Sequence, residues 1–277
     1  MTAMQCRRLV LDGQLEHAMY NVYLPEADRT PEERHALLTR AILKTDPLAF
    51  ASHQSALALY EVPLIGVAMN QVHIADARKS SRVYPSLHRH VLRPSDPVVT
   101  VAGLPSLDPG FACLQVAARY GVRPGIVATD ACLHRKLTSR EALAAILESG
   151  RLRRGITAAT TVLEQADARA ESPGESLLRL VLMGQALSVV SQFAVPGTPY
   201  RADFLVDGRV VVEFDGEMKY EGVEGKEALL KEKWRQRQIS DRGFEVVRVT
   251  WRELADPAEI QRRIMAAAMR ARLRPAA

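Results

Sequence analysis

Hydrophobic and polar positions divide the chain into alternating helical and extended stretches. Thr30-Pro31-Glu32-Glu33 is a helix start: an N-cap hydroxyl, proline in the first turn, then acids at the positive end of the helix dipole. The apolar spacing carries that helix to about Thr45, and a second is predicted from Ser52 to Tyr60. Between 70 and 102 the pattern becomes β-rich, with Gln71-Val72-His73-Ile74 and Val98-Val99-Thr100-Val101 as short strands between turn residues. Helical spacing returns at Asp108-Pro109, with further helices near 124–136, 138–149 and 154–170; Leu143, Ile146 and Leu147 mark one amphipathic face.

Around residue 171 the pattern changes. Glu171-Ser172-Pro173-Gly174-Glu175 opens a helix to about Leu187. Strands are expected at 189–195, 200–206 and 209–215, a charged helix at 224–242, a strand at 244–250 and a last helix from about Asp256 to Leu273. The order α-β-β-β-α-β-α describes an α/β domain over 171–277. Residues 25–170 read as a mostly helical region. At 1–24, Arg7-Arg8-Leu9-Val10-Leu11-Asp12 reads as a helix end with Gly13 as its C-cap, followed by a β arm from Leu15 to Leu24 carrying Met19, Tyr20, Val22 and Tyr23. Helix, glycine and β arm are the last part of a winged helix-turn-helix. Its two preceding helices are missing, so the start is read as truncated, misassigned or a docking arm. The expected fold is thus an α+β N-terminal region, with a remnant winged helix and a mostly helical part, followed by the C-terminal α/β domain.

Composition adds exclusions. The 277 residues are 47% hydrophobic and 25% charged, ordinary for a soluble globular chain. No run of 18 apolar residues exists and the N-terminus lacks a signal-peptide core, so no membrane role is expected. Three scattered cysteines, Cys6, Cys113 and Cys132, suit neither a disulfide framework nor a zinc site, and the expected compartment is a reducing cytoplasm. A net charge of +5 permits a nucleic-acid partner, while 5% aromatics argue against a base-stacking platform for single strands. The excess lies upstream, because residues 171–277 hold 17 basic and 16 acidic side chains.

The chemistry concentrates in a hairpin. Asp203 lies in Tyr200-Arg201-Ala202-Asp203-Phe204-Leu205-Val206, and Glu213 and Asp215 lie in Val210-Val211-Val212-Glu213-Phe214-Asp215-Gly216, with Asp207-Gly208 at the turn. A two-residue loop would put Asp203 and Glu213 on opposite faces. A three-residue loop ending in a left-handed glycine puts Phe204, Val206, Val210, Val212 and Phe214 on one apolar face and Asp203, Glu213 and Asp215 on the other. Acids are disfavoured inside strands, and three on one face repel unless a cation sits between them. Oxygen-only ligands suit Mg²⁺ or Mn²⁺, which can activate water and neutralise a phosphodiester transition state. Asp203, Glu213 and Asp215 are the candidate metal ligands. Glu175 could reach the same site from the preceding helix, although an acid in a first turn also serves the helix dipole. Lys219 could supply a cation to a scissile phosphate.

Residues 171–254 resemble the nuclease-type domain of the Vsr-like (very-short-patch-repair endonuclease-like) branch of the PD-(D/E)XK superfamily. The matching segments are Glu171-Ser172-Pro173-Gly174-Glu175-Ser176, Gln192, Tyr200–Phe204, Val212–Gly216 and Gly243–Thr250. The resemblance implies a restriction-endonuclease-like fold, Asp203 and Glu213 as metal carboxylates and Glu175 as the helix acid. The superfamily's lysine two residues after the glutamate is Asp215 here. Upstream, Arg7 to Tyr23 resembles the end of the winged-helix domain of AbiEi-like antitoxins, and Phe50 to Tyr60 the segment that follows it. That resemblance implies DNA as partner, and a cognate toxin or defence-locus protein.

Several residues take ordinary roles in this reading. Ser52 is an N-cap and His53 a packed residue; His88 and His90 share a strand face with no third ligand in view, as on a surface strand. The helix at 224–242 mixes signs as a solvated face does, but Lys233, Arg235 and Arg237 lie where a DNA backbone could pass, as do Arg7 and Arg8 upstream. Trp234 is expected as a core anchor. Arg151, Arg153 and Arg154 form a short basic patch. Two functions follow: a Mg²⁺-dependent DNA endonuclease of repair or phage defence, or an antitoxin-type transcriptional regulator whose nuclease fold is inactive. A protein-interaction module of a defence locus that touches no DNA is a third.

Overall fold

The computed structural model describes residues 1–19, 22–185, 187–216 and 222–273, without the side chains of Ala3 and of 222–229. Two compact units result, Met1–Ala166 and Asp167–Ala277. Among the described residues they hold ten α-helices and three sheets, a mixed α and β architecture.

The first unit begins with α1 (Ala3–Leu11) and the hairpin β1 (Leu15–Met19) and β2 (Val22–Pro25). Gly13 ends the helix in the left-handed region (φ +66°), and the Gly13 and Gln14 amides return to the carbonyls of Val10 and Leu9. The expected helix end, glycine and β arm are therefore present; Tyr20 lies outside the described residues. Helix α2 (Pro31–Thr45) starts at Thr30 with a reciprocal capping box to Glu33. Then come β3 (Phe50–Ala51), α3 (His53–Leu59), β4 (Val72–Asp76), β5 (Arg82–Val83), β6 (Leu87–Val91), β7 (Val98–Val101) and β8 (Leu104–Leu107). These strands form one six-stranded sheet in the order β5-β6-β4-β3-β8-β7, with β4 parallel to β6 and β3 parallel to β8. The sheet is larger than the two strands the pattern suggested, since β3 and β5 are each two residues long and too short to alternate visibly. Helices α4 (Pro109–Tyr120), α5 (Val122–His134), α6 (Arg140–Glu148) and α7 (Ile156–Gln165) follow. Leu38, Ile42, Leu57, Ile74 and Val116 belong to one buried core that joins these helices to the sheet. The same core brings the thiols of Cys113 and Cys132 to 3.5 Å, and burial pushes the Cys113 thiol up.

The second unit runs α8 (Pro173–Met183), β9 (Val189–Ala194), β10 (Arg201–Val206), β11 (Val210–Asp215), α9 (Gly222–Ser240), β12 (Glu245–Thr250) and α10 (Pro257–Leu273), with a 3₁₀ turn at Glu253–Ala255. Its sheet is ordered β12-β11-β10-β9: the first three strands in sequence form an antiparallel meander, and α9 crosses over to lay β12 parallel to β11. The β10–β11 register, Phe204↔Val212 and Val206↔Val210, leaves Asp207, Gly208 and Arg209 as a three-residue loop. Asp207 (φ +48°) and Gly208 (φ +69°) are both left-handed, so the glycine is the second of the three rather than the last. The odd register is the one the clean apolar face required. Opposed side chains then point the same way, which puts Asp203 and Glu213 on one face with Leu205 and Val211. Leu205 and Val211 pack with Ile239 of α9. On the other face Gly174 of α8 lies so close to Phe214 that a Cβ there would fall 2.0 Å from the ring, and Phe214 meets Trp251 edge-on at 4.9 Å.

Candidate functional sites

The registered pairs of β10 and β11 stop at Phe204↔Val212. One residue further, Asp203 Oδ2 accepts the Phe214 amide at 2.7 Å, so a side chain takes over where the ladder opens. On the other side of β10, Ala202 pairs with Phe193 and Phe204 with Ser191, which sets Asp203 beside Gln192. Gln192 sits at φ +54°, strained for a residue with a side chain, and its Nε2 donates to Glu175 Oε2 at 2.9 Å.

Glu175 is 8% exposed and fully engaged. Its carboxylate also accepts from the Glu171 amide (3.1 Å) and the Ser172 hydroxyl (2.8 Å), and Ser172 Oγ accepts the Glu175 amide in return. The helix-capping role and the proximity to Asp203 coexist. Burial raises Asp203 first, the nearby Glu175 and Glu213 carboxylates add to it, and the acid is pushed up to about 6 despite the Phe214 amide and Arg235.

Glu213 is 7% exposed. Arg235 Nη2 donates to its Oε1 at 2.6 Å, and Arg248 Nε lies 3.7 Å from its Oε2. Arg248 is placed by the β11–β12 register, Glu213↔Arg248. Glu232 of α9 completes the group through Arg248 and, at 3.7 Å, Arg235. Burial raises the Glu213 pKa, and the two arginines hold it back. Asp215 lies with Glu213, Glu232, Arg235 and Arg248 around a cleft of about 190 Å³. Arg235→Met should therefore cost about 2 kcal/mol at neutral pH, because it strands a buried carboxylate. The cost should shrink as the pH falls, because Glu213, its pKa raised further without its guanidinium, takes up a proton more readily in the variant; urea unfolding across an acid-to-neutral pH series measures it.

Other predicted positions fall out differently. Arg235 faces Glu213 and the Arg201 carbonyl (3.0 Å) rather than standing free for a DNA backbone. Lys233 and Arg237 are exposed, Arg237 4.0 Å from Asp241. Arg7 and Arg8 are exposed on α1, with Arg8 3.9 Å from Asp12. Lys219 lies outside the described residues. Trp234 is not a core anchor: it is 56% exposed, because Arg235 and Ile239, one turn apart, take the sheet-facing side and rotate their neighbour away.

The carboxylates do not gather into a compact triad. Among the described residues, the one set of three ligand groups with all atoms within 4.8 Å of one another is His53, His73 and His90, in the first unit. This corrects the expectation that His88 and His90 lack a third partner. The parallel register of β4 and β6 pairs His73 with His88, and His73 Nδ1 lies 2.9 Å from His90 Nε2. His53, at the start of α3, stacks on His90 with centroids 4.2 Å apart, and His88 stacks on the same ring at 3.9 Å. Ser52 is an N-cap by position without a side-chain cap bond; its hydroxyl lies 3.1 Å from His53 Nδ1. Within-strand parity pairs His88 with His90, but bringing in His73 requires the β4–β6 pairing, which sequence spacing does not display.

No family model matches the chain. Two uncharacterized proteins of Mycobacterium tuberculosis, from strains CDC 1551 / Oshkosh and ATCC 25618 / H37Rv, are each 31% identical to it over 183 residues. The match covers 62% of this chain and 65% of each relative, so the chain spans just under two thirds of their length. No helix among the described residues is long and apolar enough to cross a membrane.

Proposed function

We propose that the second unit is a Mg²⁺- or Mn²⁺-dependent DNA endonuclease domain, and that the first unit contributes to placing it on DNA. One observation carries the reading: Asp203, half-buried, and Glu213, buried, stand on adjacent central strands where the ladder opens, and burial raises the pKa of each. The α-β-β-β-α-β order, with a parallel fourth strand, resembles the restriction-endonuclease-like arrangement of the Vsr-like branch. Two carboxylates are enough for a hard cation that fills its remaining positions with water and substrate phosphate. Asp203 Oδ1 and the Glu213 carboxylate would hold it, with Asp215 lining the cleft beside Glu213. When bound, such a cation supplies an activated water and charge neutralisation at the phosphodiester. The chain's own residues do the rest. The Phe214 amide donates to Asp203 and holds its carboxylate, Gln192 stands beside Asp203 in the sheet and donates to Glu175, and Arg235 favours the ionised form of Glu213. Arg235 and Arg248 also provide cationic character beside the cleft, where the superfamily's lysine is replaced by Asp215.

The test is cleavage of plasmid and of mismatched duplex DNA with Mg²⁺ or Mn²⁺. Cleavage by the wild-type chain that survives unchanged in Asp203→Asn and Glu213→Gln sinks the mechanism. A second reading has its own support. The 2.6 Å Arg235–Glu213 pair and Asp215 in the lysine position suit a catalytically inactive scaffold in an AbiEi-like regulator. Salt-sensitive DNA binding without Mg²⁺ or Mn²⁺ uptake by calorimetry selects that reading.

A further inference from the structure

The first unit contains a second constellation that the nuclease reading does not use and on which it does not depend. His53, His73 and His90 each present a ring nitrogen, all within 4.8 Å of one another. The 2.9 Å between His73 Nδ1 and His90 Nε2 is close to the roughly 3.3 Å that separates two nitrogens on one tetrahedral zinc ion at 2.0–2.1 Å. Like-charged neighbours this close cannot all protonate. His73 is 1% exposed, and its Nε2 and Nδ1 of His88 are buried with no hydrogen-bond partner among the described residues. Buried histidine nitrogens are ordinarily hydrogen-bonded, so the cluster is more polar than its own contacts satisfy.

The cluster also opens onto something. His53, His88 and His90 line a pocket of about 750 Å³, whose wall includes Arg93, Arg119 and Arg153. Arg119 is near enough to His53, His73 and His90 to oppose their protonation. This size suits a small molecule, and guanidinium groups around a concave site suit phosphate oxygens. We propose that His53, His73 and His90 bind one zinc-class divalent metal ion, with an open coordination position facing the arginine-lined pocket, and that the pocket takes a small phosphate-bearing ligand onto that metal. All-imidazole ligation favours zinc, cobalt, nickel or copper over magnesium, and three protein ligands with one open position is the pattern of sites that bind exchangeable ligands.

The experiment titrates Co²⁺ into the full-length chain and follows the visible bands of four-coordinate cobalt, then Zn²⁺ by competition. One Co²⁺ per chain is expected, displaced by Zn²⁺ and not by excess Mg²⁺, and kept in an Asp203→Asn/Glu213→Gln double variant. Loss of outer-sphere support alone typically weakens a metal about 10–100-fold, so His53→Ala and His90→Ala should each lose at least about a hundredfold. His17→Ala, an exposed histidine of β1 outside the cluster and the pocket wall, should bind within about threefold of wild type. Circular dichroism shows whether each variant is folded, and His53→Gln, on the half-buried helix start, serves if His90→Ala is not. No Co²⁺ or Zn²⁺ uptake by the wild-type chain overturns the proposal, as does equal uptake by folded wild-type and triad variants. Inorganic phosphate should shift the cobalt bands in wild type and not in Arg119→Met. An unshifted spectrum overturns the ligand assignment, and a shift caused by duplex DNA but not by phosphate overturns its small-molecule class.

Discussion

Asp203→Asn should abolish metal-dependent DNA cleavage and at the same time make the second unit harder to unfold. On the proposed nuclease reading, loss of this carboxylate removes transition-state charge stabilisation worth several kcal/mol, so activity should fall at least about a thousandfold. The stability effect follows from the raised pKa. A carboxyl titrating at about 6 in the folded chain, against 3.8 ordinarily, holds its proton more tightly when folded. Its contribution to stability is therefore present below about pH 3.8 and is lost as the pH rises through 6. Near pH 7.5 the wild-type chain carries a penalty on the order of 2 kcal/mol that asparagine escapes, and asparagine still offers an oxygen to the Phe214 amide. In metal-free buffer the variant should melt roughly 10 °C higher, and the gap should close near pH 4. A variant that melts lower than wild type at neutral pH would show that Asp203 is held by contacts worth more than its burial costs.

The second large effect lies in the first unit. Gly155, at the start of α7, has φ +64°, and a Cβ there would come within 2.5 Å of the Cα and carbonyl oxygen of Ala118 in α4. These are backbone atoms of a packed helix and cannot swing aside as a side chain can. Gly155→Ala combines a left-handed penalty of about 1 kcal/mol with overpacking of about 1–3 kcal/mol. The total, about 3 kcal/mol, should lower the melting point of this unit by roughly 10 °C. Gly103→Ala is the control, since Gly103 is also left-handed (φ +77°) but a Cβ there would meet nothing within 4 Å. It should lose only about 1 kcal/mol. Equal losses by thermal unfolding would mean that α4 and α7 have room to separate.

Local rules carried far in both units. The caps at Thr30, Asp108 and Ser172 and the order of elements from α8 to α10 depend on neighbouring residues, and each is present. The parity of the hairpin was readable because a strand with one wholly apolar face tolerates a single register. What escaped depends on partners distant in sequence. Arg248 reaches Glu213 only through the parallel β11–β12 pairing. His73 joins His90 only because β4 and β6 are adjacent. Trp234 was misplaced for a different reason: bulk and hydrophobicity suggested a core residue, but the helix phase is fixed by Arg235 and Ile239. The compact set of acids expected from face-sharing alone also depends on where the side chains end, which alternation does not specify.

The hairpin turn has a consequence for how this domain can change over evolutionary time. With three residues between paired Val206 and Val210, removing or adding one residue inverts everything downstream on β11. Glu213 would trade places with Val212, the cleft would lose its acid and the core would gain one. Gains or losses of two residues restore the alternation. The turn thus behaves like a reading frame with a period of two: its length is fixed by parity, while its residues are restricted only by the left-handed backbone at Asp207 and Gly208.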